Sequence, residues 1–281
     1  MKRSVILTGG ANGIGKAMVM GLLKDGSRVV TMDQDEKGLN QLQKEVEALG
    51  MRNHLNVMPV NLIDQDAAIE SVTQAIQWLG HVDTLINNIG IGRQEIKEDI
   101  FKNPPKFWEV TPQLWHRFFS INTHAAFLMM RTVVPYMLEK KFGRIVNVTT
   151  TLESTVRAGG AAYGPSKAAL ESLTSIAAHD LMGTGITVNA LLPGGPTDTN
   201  MIPQSAPIVR DTLLKPSIMV PPLLWMLEEK NAHLTALRFD ASKWDATISP
   251  EEACALSQAP VAWISIAGKM RQPKENKKTN L

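Results

Sequence analysis

Six short runs rich in Val, Ile and Leu punctuate the chain, at Ser4 to Thr8, Arg28 to Met32, Leu55 to Val60, Val82 to Ile86, Arg144 to Val148 and Thr187 to Leu192. Longer helix-like stretches separate them, such as Leu39 to Leu49 and Phe118 to Leu138. Strands that read as continuous apolar runs are covered on both faces, which requires a parallel sheet with helices above and below. The pattern therefore predicts an α/β fold, a doubly wound and mostly parallel sheet of about seven strands.

No internal repeat and no low-complexity linker divides the 281 residues, so one domain is expected over 1–268. Between 195 and 241 the rhythm is broken by Pro196, Pro203, Pro207, Pro216, Pro221 and Pro222. That segment reads as a loop-and-short-helix insert of the kind that covers a site. Residues 269–281 carry five basic side chains and one acidic one, and are expected to form a disordered tail.

Charge and cysteine usage exclude several classes of function. With 29 basic and 27 acidic residues the formal net charge is +2, too balanced for electrostatic binding to nucleic acid or an anionic membrane. Cys254 is the single cysteine, which rules out an internal disulfide and fits a reducing, cytoplasmic compartment. Met1-Lys2-Arg3 is followed by only three apolar residues, Val5-Ile6-Leu7, before glycines intervene, too few for a signal peptide. No apolar run reaches the roughly 18 residues of a membrane span. The six histidines, at 54, 81, 116, 124, 179 and 233, show no ligand spacing, so no metal site is expected.

The first strand runs directly into Thr8-Gly9-Gly10-Ala11-Asn12-Gly13-Ile14-Gly15, and a helix-like stretch, Lys16 to Leu23, follows. Between strand and helix, glycines let the backbone approach a pyrophosphate, and the helix N-terminus meets its charge. A glycine-rich turn alone also fits an ordinary tight loop, but its placement between strand and helix leads to the expectation of a Rossmann-type dinucleotide site. Asp33 ends the second strand, 20 residues after Gly13, where a carboxylate accepts from ribose hydroxyls and repels a 2′-phosphate. NAD is thus expected over NADP. The competing reading makes Asp33 the N-cap of the next helix.

Both tyrosines stand four residues before a lysine, Tyr136 with Lys140 and Tyr163 with Lys167, and each has a threonine 13 residues upstream, Thr123 and Thr150. Spacing cannot separate them. Thr123 and Tyr136 share one helix-like stretch, which at 1.5 Å per residue holds them about 20 Å apart. Thr150 instead follows the strand Arg144 to Val148, at the carboxyl edge where such sheets bind ligands, and a Gly/Ala-rich loop leads to Tyr163. Tyr163 and Lys167 then share a helix face. A phenol with an ordinary pKa near 10 needs a shift of about three units to act as a base at neutral pH, and a nearby ammonium supplies part of it.

Taken together, these motifs resemble the short-chain dehydrogenase/reductase family. The resemblance covers residues 4 to 200 and includes Asn87-Asn88-Ile89-Gly90, Asn122, Tyr163-Gly164-Pro165-Ser166-Lys167 and Pro193-Gly194. It implies Asn122, Thr150, Tyr163 and Lys167 as catalytic residues, with Asn122 holding a relay water. For the cofactor it implies Gly9, Asn12, Gly13, Ile14, Gly15, Asp33, Asn61, Leu62, Asn87, Gly90, Tyr163, Lys167, Pro193 and Gly194. Thr150 replaces the family's serine, Ile89 its alanine, and Asn61 its adenine-binding aspartate. The segment Pro193 to Thr199 is one residue longer than usual, and Pro196 lacks the N–H that would hold the nicotinamide carboxamide, leaving Gly195 or Thr197 to do so.

Phe107, Trp108 and Trp115, with Met201, Ile202, Met219 and Trp225, either wall an apolar substrate pocket or simply pack. The leading expectation is an NAD(H)-dependent oxidoreductase acting on a small, fairly apolar ketone or secondary alcohol. The alternatives are an NADPH-dependent 3-oxoacyl-thioester reductase and a catalytically weak dinucleotide-binding regulator. The resemblance also implies a homodimer or homotetramer.

Overall fold

The computed structural model of the protein describes residues 3–97 and 99–266; the basic segment 269–281 lies outside the described residues. The strands are β1 (Ser4–Thr8), β2 (Arg28–Asp33), β3 (Leu55–Pro59), β4 (Thr84–Asn87), β5 (Gly143–Val148), β6 (Ile186–Leu192), β7 (Leu237–Asp240) and β8 (Gln258–Pro260). The helices are α1 (Gly13–Lys24), α2 (Glu36–Ala48), α3 (Gln65–Leu79), α4 (Pro112–Phe119), α5 (Ala125–Lys140), α6 (Leu152–Val156), α7 (Tyr163–Asp180), α8 (Val220–Met226) and α9 (Pro250–Ser257).

One sheet holds every strand in the order β3-β2-β1-β4-β5-β6-β7-β8. Seven strands run parallel and β8 returns antiparallel on β7. β1, β4, β5 and β6 are buried along their whole length, the consequence of helices on both faces. One apolar layer is built from α1, α2 and α8, with Met18, Leu22, Leu42, Met219 and Leu223. The opposite layer takes Val72, Met129, Val133 and Ala178 from α3, α5 and α7. The strand order reverses at β1, which pairs β2 on one side and β4 on the other. Helices leave the sheet on opposite faces there and open a crevice at the carboxyl ends of the strands.

Three expectations change. The stretch 118–138 is helical as expected but not purely α: α4 runs without a break into a π-helical turn at Ser120–His124, which continues into α5 at Ala125. The proline-broken segment 195–241 is not wholly an insert, because it contains β7 and α8. Its Met219 and Trp225 are 0% and 7% exposed within the α1-side core, so they are core residues and not a pocket wall. Phe107 and Trp108 lie on the surface, 74% and 69% exposed, with their rings edge to face. Among the described residues no helix is long and apolar enough to cross a membrane, and no group of three or more His, Cys, Asp or Glu could hold a metal ion.

Candidate active site

The turn after β1 is shaped by contacts that only glycine permits. Gly9 has φ +74°, and a Cβ there would lie 3.0 Å from Asn88 Nδ2 and 3.1 Å from Ile89 Cα. Asn88 Nδ2 donates to the Gly9 carbonyl at 2.8 Å, and the Thr8 hydroxyl accepts from the N–H groups of Asn88 and Ile89 at 3.0 and 3.2 Å. At Gly15 a Cβ would come within 1.8 Å of the Gly9 carbonyl oxygen. Sequence reasoning missed Thr8 and Asn88 as the clamps of this turn; the doubled asparagine was the available signal.

Asn12 precedes α1 with extended backbone and no side-chain cap, its Nδ2 donating instead to Asp35 at 2.6 Å. The first turn of α1, where Gly13, Ile14 and Gly15 lie, therefore has no side-chain acceptor. An uncapped twelve-residue helix behind a glycine cradle suits the pyrophosphate of a dinucleotide. Gly13 has φ +52°, and its Cβ would meet the Thr199 methyl at 3.0 Å, which brings the Pro193 to Thr199 segment onto the cradle.

Asp33 is half-buried at the end of β2 and accepts from the N–H of Ala11 at 3.1 Å and of Asp35 at 3.0 Å. It does not cap α2. Asp35 does, accepting from Gly38 at 3.0 Å, and the Gly38 and Asn12 hydrogen bonds hold its carboxyl below the usual range. Two carboxylates therefore stand beside the cradle. Asn61 is exposed after β3 and accepts from Ile63 N–H at 3.4 Å, while Leu62 is buried.

Asn87, expected to touch the cofactor, turns its side chain into the sheet. It donates to Asn147 Oδ1 at 2.8 Å, and Asn147 donates to Thr174 Oγ1 at 2.9 Å. Any cofactor contact from Asn87 must come from its backbone. Gly90 lies against the opposite group: a Cβ there would be 3.2 Å from Asn122 Oδ1 and 3.3 Å from Lys167 Nζ. Gly194, with φ +87°, would place a Cβ 2.0 Å from Asp240 Oδ1, so the Pro193-Gly194 turn packs directly on the end of β7. The N–H groups of Gly195 and Thr197 donate to no acceptor among the described residues and suit a carboxamide.

Asn122 occupies the π-helical turn, 1% exposed, and donates to Ser166 Oγ at 3.0 Å, reaching α7. Turns of this kind re-aim side chains at functional positions. α7 starts at Tyr163 after Ala162, whose φ is +72°. Gly164 fits beneath α6 because a Cβ would sit 2.6 Å from the Thr155 carbonyl. Lys167 is 5% exposed, and its ammonium donates to the Val148 carbonyl at 2.9 Å. Burial pushes its pKa down to about 8, with Glu171 opposing the shift.

The Tyr163 phenol is pushed up by burial and pulled back by a hydrogen bond with Thr150 and by the charge of Arg93. Lys167 is not among these influences. In the absence of cofactor, the structure leaves Tyr163 a protonated phenol. Tyr136, by contrast, lies on α5 at 39% exposure, and Thr123 is spent on the Ser166 carbonyl at 2.7 Å. Of the two spacing-equivalent sets, only the second has its threonine meet its tyrosine, Thr150 with Tyr163, and its lysine buried.

The family description short chain dehydrogenase matches residues 3–207. The chain is 28% identical over 239 residues to the 3-oxoacyl-(acyl-carrier-protein) reductase FabG of Thermotoga maritima, spanning 82% of this chain and 92% of that protein. It is 29% identical over 250 residues to the 2-dehydro-3-deoxy-L-rhamnonate dehydrogenase (NAD(+)) of a Sphingomonas species, spanning 85% and 94%. A 3-ketoacyl-(acyl-carrier-protein) reductase from Brucella melitensis, solved with NADH, shares the fold with TM-score 0.71 at 24% identity, over 84% of this chain and 95% of that one. The chain belongs to the short-chain dehydrogenase family, oxidoreductases of alcohol and ketone groups.

Proposed function

We propose that the chain transfers a hydride between NAD(H) and a ketone or secondary alcohol, with Tyr163 exchanging the hydroxyl proton. One observation carries the reading: Thr150, Tyr163, Lys167 and Asn122, from three separate parts of the fold, converge at the carboxyl edge of β4 and β5. The nicotinamide, when bound, supplies or accepts the hydride. Thr150 holds the substrate oxygen by its hydroxyl. In reduction, Tyr163 is held as a neutral phenol by burial and donates its proton to that oxygen. In oxidation the phenolate form is needed, and Thr150 and Arg93 favour it.

Lys167 spends one of its three N–H donors on Val148, leaving two for a ribose hydroxyl and a relay water. Asn122 supports the relay by fixing the main chain beside Lys167. Asp33 and Asp35 together favour NAD, because a 2′-phosphate would face two carboxylates. The Sphingomonas relative carries NAD(+) in its name. The competing NADPH-dependent thioester reductase has two observations behind it: the name of the Thermotoga relative and Lys37, whose charge acts on Asp35.

Arg93 is half-buried over the Phe101 ring, 5.5 Å to its centroid, and its charge acts on both Tyr163 and Arg157. It makes no ion pair among the described residues, since nearby Glu95 pairs with Arg117 at 3.0 Å. This favours a substrate bearing an acidic group over the fully apolar one suggested by the methionines and tryptophans. Phe127, Ile176 and Met182, 43%, 55% and 64% exposed on or beside α5 and α7, support self-association. Sedimentation showing only monomer at micromolar concentration would overturn that association.

The test is fluorescence titration with NADH and NADPH, followed by absorbance of NADH against matched oxo acids and their methyl esters. Tighter NADH binding with turnover of the free acids is expected. Tighter NADPH binding would favour the thioester reductase, and binding without turnover of any compound the regulator.

A further inference from the structure

Glu171 lies one helical turn beyond Lys167 on α7 and is 1% exposed. Its Oε1 pairs with Arg238 Nε of β7 at 2.9 Å and also accepts from the Ala262 N–H at 3.1 Å. Arg238 uses a second nitrogen to donate to the Thr150 carbonyl at 2.8 Å. A single guanidinium thus joins α7, β7 and the turn that carries Thr150. Stability gives weak reason for such a pair, because burying two charges returns less than apolar packing of the same volume. The planar fork of arginine supplies both bonds at fixed geometry, which lysine cannot reproduce.

Thr150 lies just past β5, where the N–H of Thr149 still bonds to Leu191 at 3.0 Å. Beyond that bond the peptide needs another anchor if its hydroxyl is to meet Tyr163. We propose that Arg238, held by Glu171, is a positioning residue that fixes the Thr150 peptide so that its hydroxyl faces the Tyr163 phenol. The inference rests on Tyr163 being the proton-exchanging group. Besides the Thr150 hydroxyl, the groups that bear on this phenol are Arg93 from the segment after β4 and the Phe118 ring of α4, 6.4 Å between centroids; Lys167, one turn on along the same helix, spends its ammonium on the Val148 carbonyl.

The chain has two tyrosines, so Tyr136→Phe leaves Tyr163 as the one spectroscopic reporter. In this background, with saturating NAD, tyrosinate absorbance is followed upward from about pH 7 to beyond the ordinary phenol value of about 10, as far as the fold persists. Arg238→Met and Thr150→Val should each raise the midpoint by about half to one pH unit, the size of one neutral hydrogen bond. The double variant should shift no further than Thr150→Val, and Arg238→Lys should not restore the midpoint. Because Arg238→Met strands a buried carboxylate, Glu171→Gln with Arg238→Met is the companion that removes both charges together.

A lower melting temperature with an unmoved midpoint, or additive shifts in the double variant, overturns the proposal. If Tyr163→Phe keeps its turnover with NADH bound, the assignment of Tyr163 fails and takes the proposal with it. Titration of the starting protein with no response to Arg238 defeats the positioning alone.

Discussion

Asn122 clasps the main chain of Ile91 through both of its polar groups, accepting from its N–H at 2.8 Å and donating to its carbonyl at 3.1 Å. The residue lies in a π-helical turn, so the irregular helix and the loop after β4 are fixed to each other beside Lys167. Replacing Asn122 by Ala leaves two backbone groups unpaired, a loss of about 2 kcal/mol. Thermal denaturation should show a fall of about 4–8 °C. Turnover should fall further than that destabilisation explains, with NADH affinity little changed.

Asp33 accepts from the glycine turn itself, through Ala11 N–H, and so presents its carboxylate at a fixed height above the cradle. Removing it as Asp33→Ala should weaken NADH binding by about ten- to a hundredfold, the worth of a charge-assisted hydrogen bond. NADPH binding should weaken less or improve, narrowing the preference. Fluorescence titration reads both constants, and an unchanged ratio would remove Asp33 from cofactor choice.

Lys167 has a stability signature that can be read without any substrate. Its native pKa, about 8, lies below the ordinary 10.5, so the unfolded chain binds the extra proton between these values. Below pH 8 both states are protonated and the buried ammonium costs about 3 kcal/mol, offset in part by its bond to Val148. Lys167→Met should therefore raise the cofactor-free melting temperature by about 2–6 °C at neutral pH. The gap should close as pH rises through that window. A lower melting temperature at neutral pH would show that burial is not the dominant influence on this lysine.

Gly194 combines left-handed backbone, φ +87°, with a Cβ position 2.0 Å from Asp240 Oδ1. Gly194→Ala should destabilise the protein by about 1–3 kcal/mol and weaken nucleotide binding by displacing Gly195 and Thr197. Calorimetry with and without NADH separates the two effects.

The sheet and the cradle were legible because each is encoded locally. β1 and the glycine turn follow one another in the chain, and continuous Val/Ile/Leu runs mark strands covered on both faces. The meeting of Thr150 with Tyr163 and the exposure of Tyr136 agree with the strand that precedes Thr150, and which tyrosine exchanges the proton is for the last measurement below to decide. What escaped was set by contacts distant in sequence or by a local break in periodicity. β7 is short and follows a proline-rich stretch, so Leu237–Asp240 carries little signal of its own. The π-helical turn keeps the apolar spacing of its neighbours, which hides it within a longer helix.

Sequence reasoning considered only Asp33 as a cap of α2, whereas Asp35 accepts the Gly38 N–H and does the capping. The Glu171–Arg238 pair spans 67 residues, and neither partner stands in a motif. Met219 and Trp225 could be read as pocket wall or as packing, and α8 folding back onto α1 makes them packing.

The chain offers its own control for the assignment of the proton-exchanging group, since Tyr136 and Tyr163 share the same spacing to a lysine and a threonine. NADH oxidation should be compared for Tyr163→Phe and Tyr136→Phe with the best oxo substrate of the matched panel, alongside NADH binding to each. Tyr163→Phe should bind NADH normally and lose about 10²–10⁴-fold in kcat, while Tyr136→Phe keeps its rate. Retained turnover in Tyr163→Phe, or loss in Tyr136→Phe with NADH binding intact, would contradict the assignment.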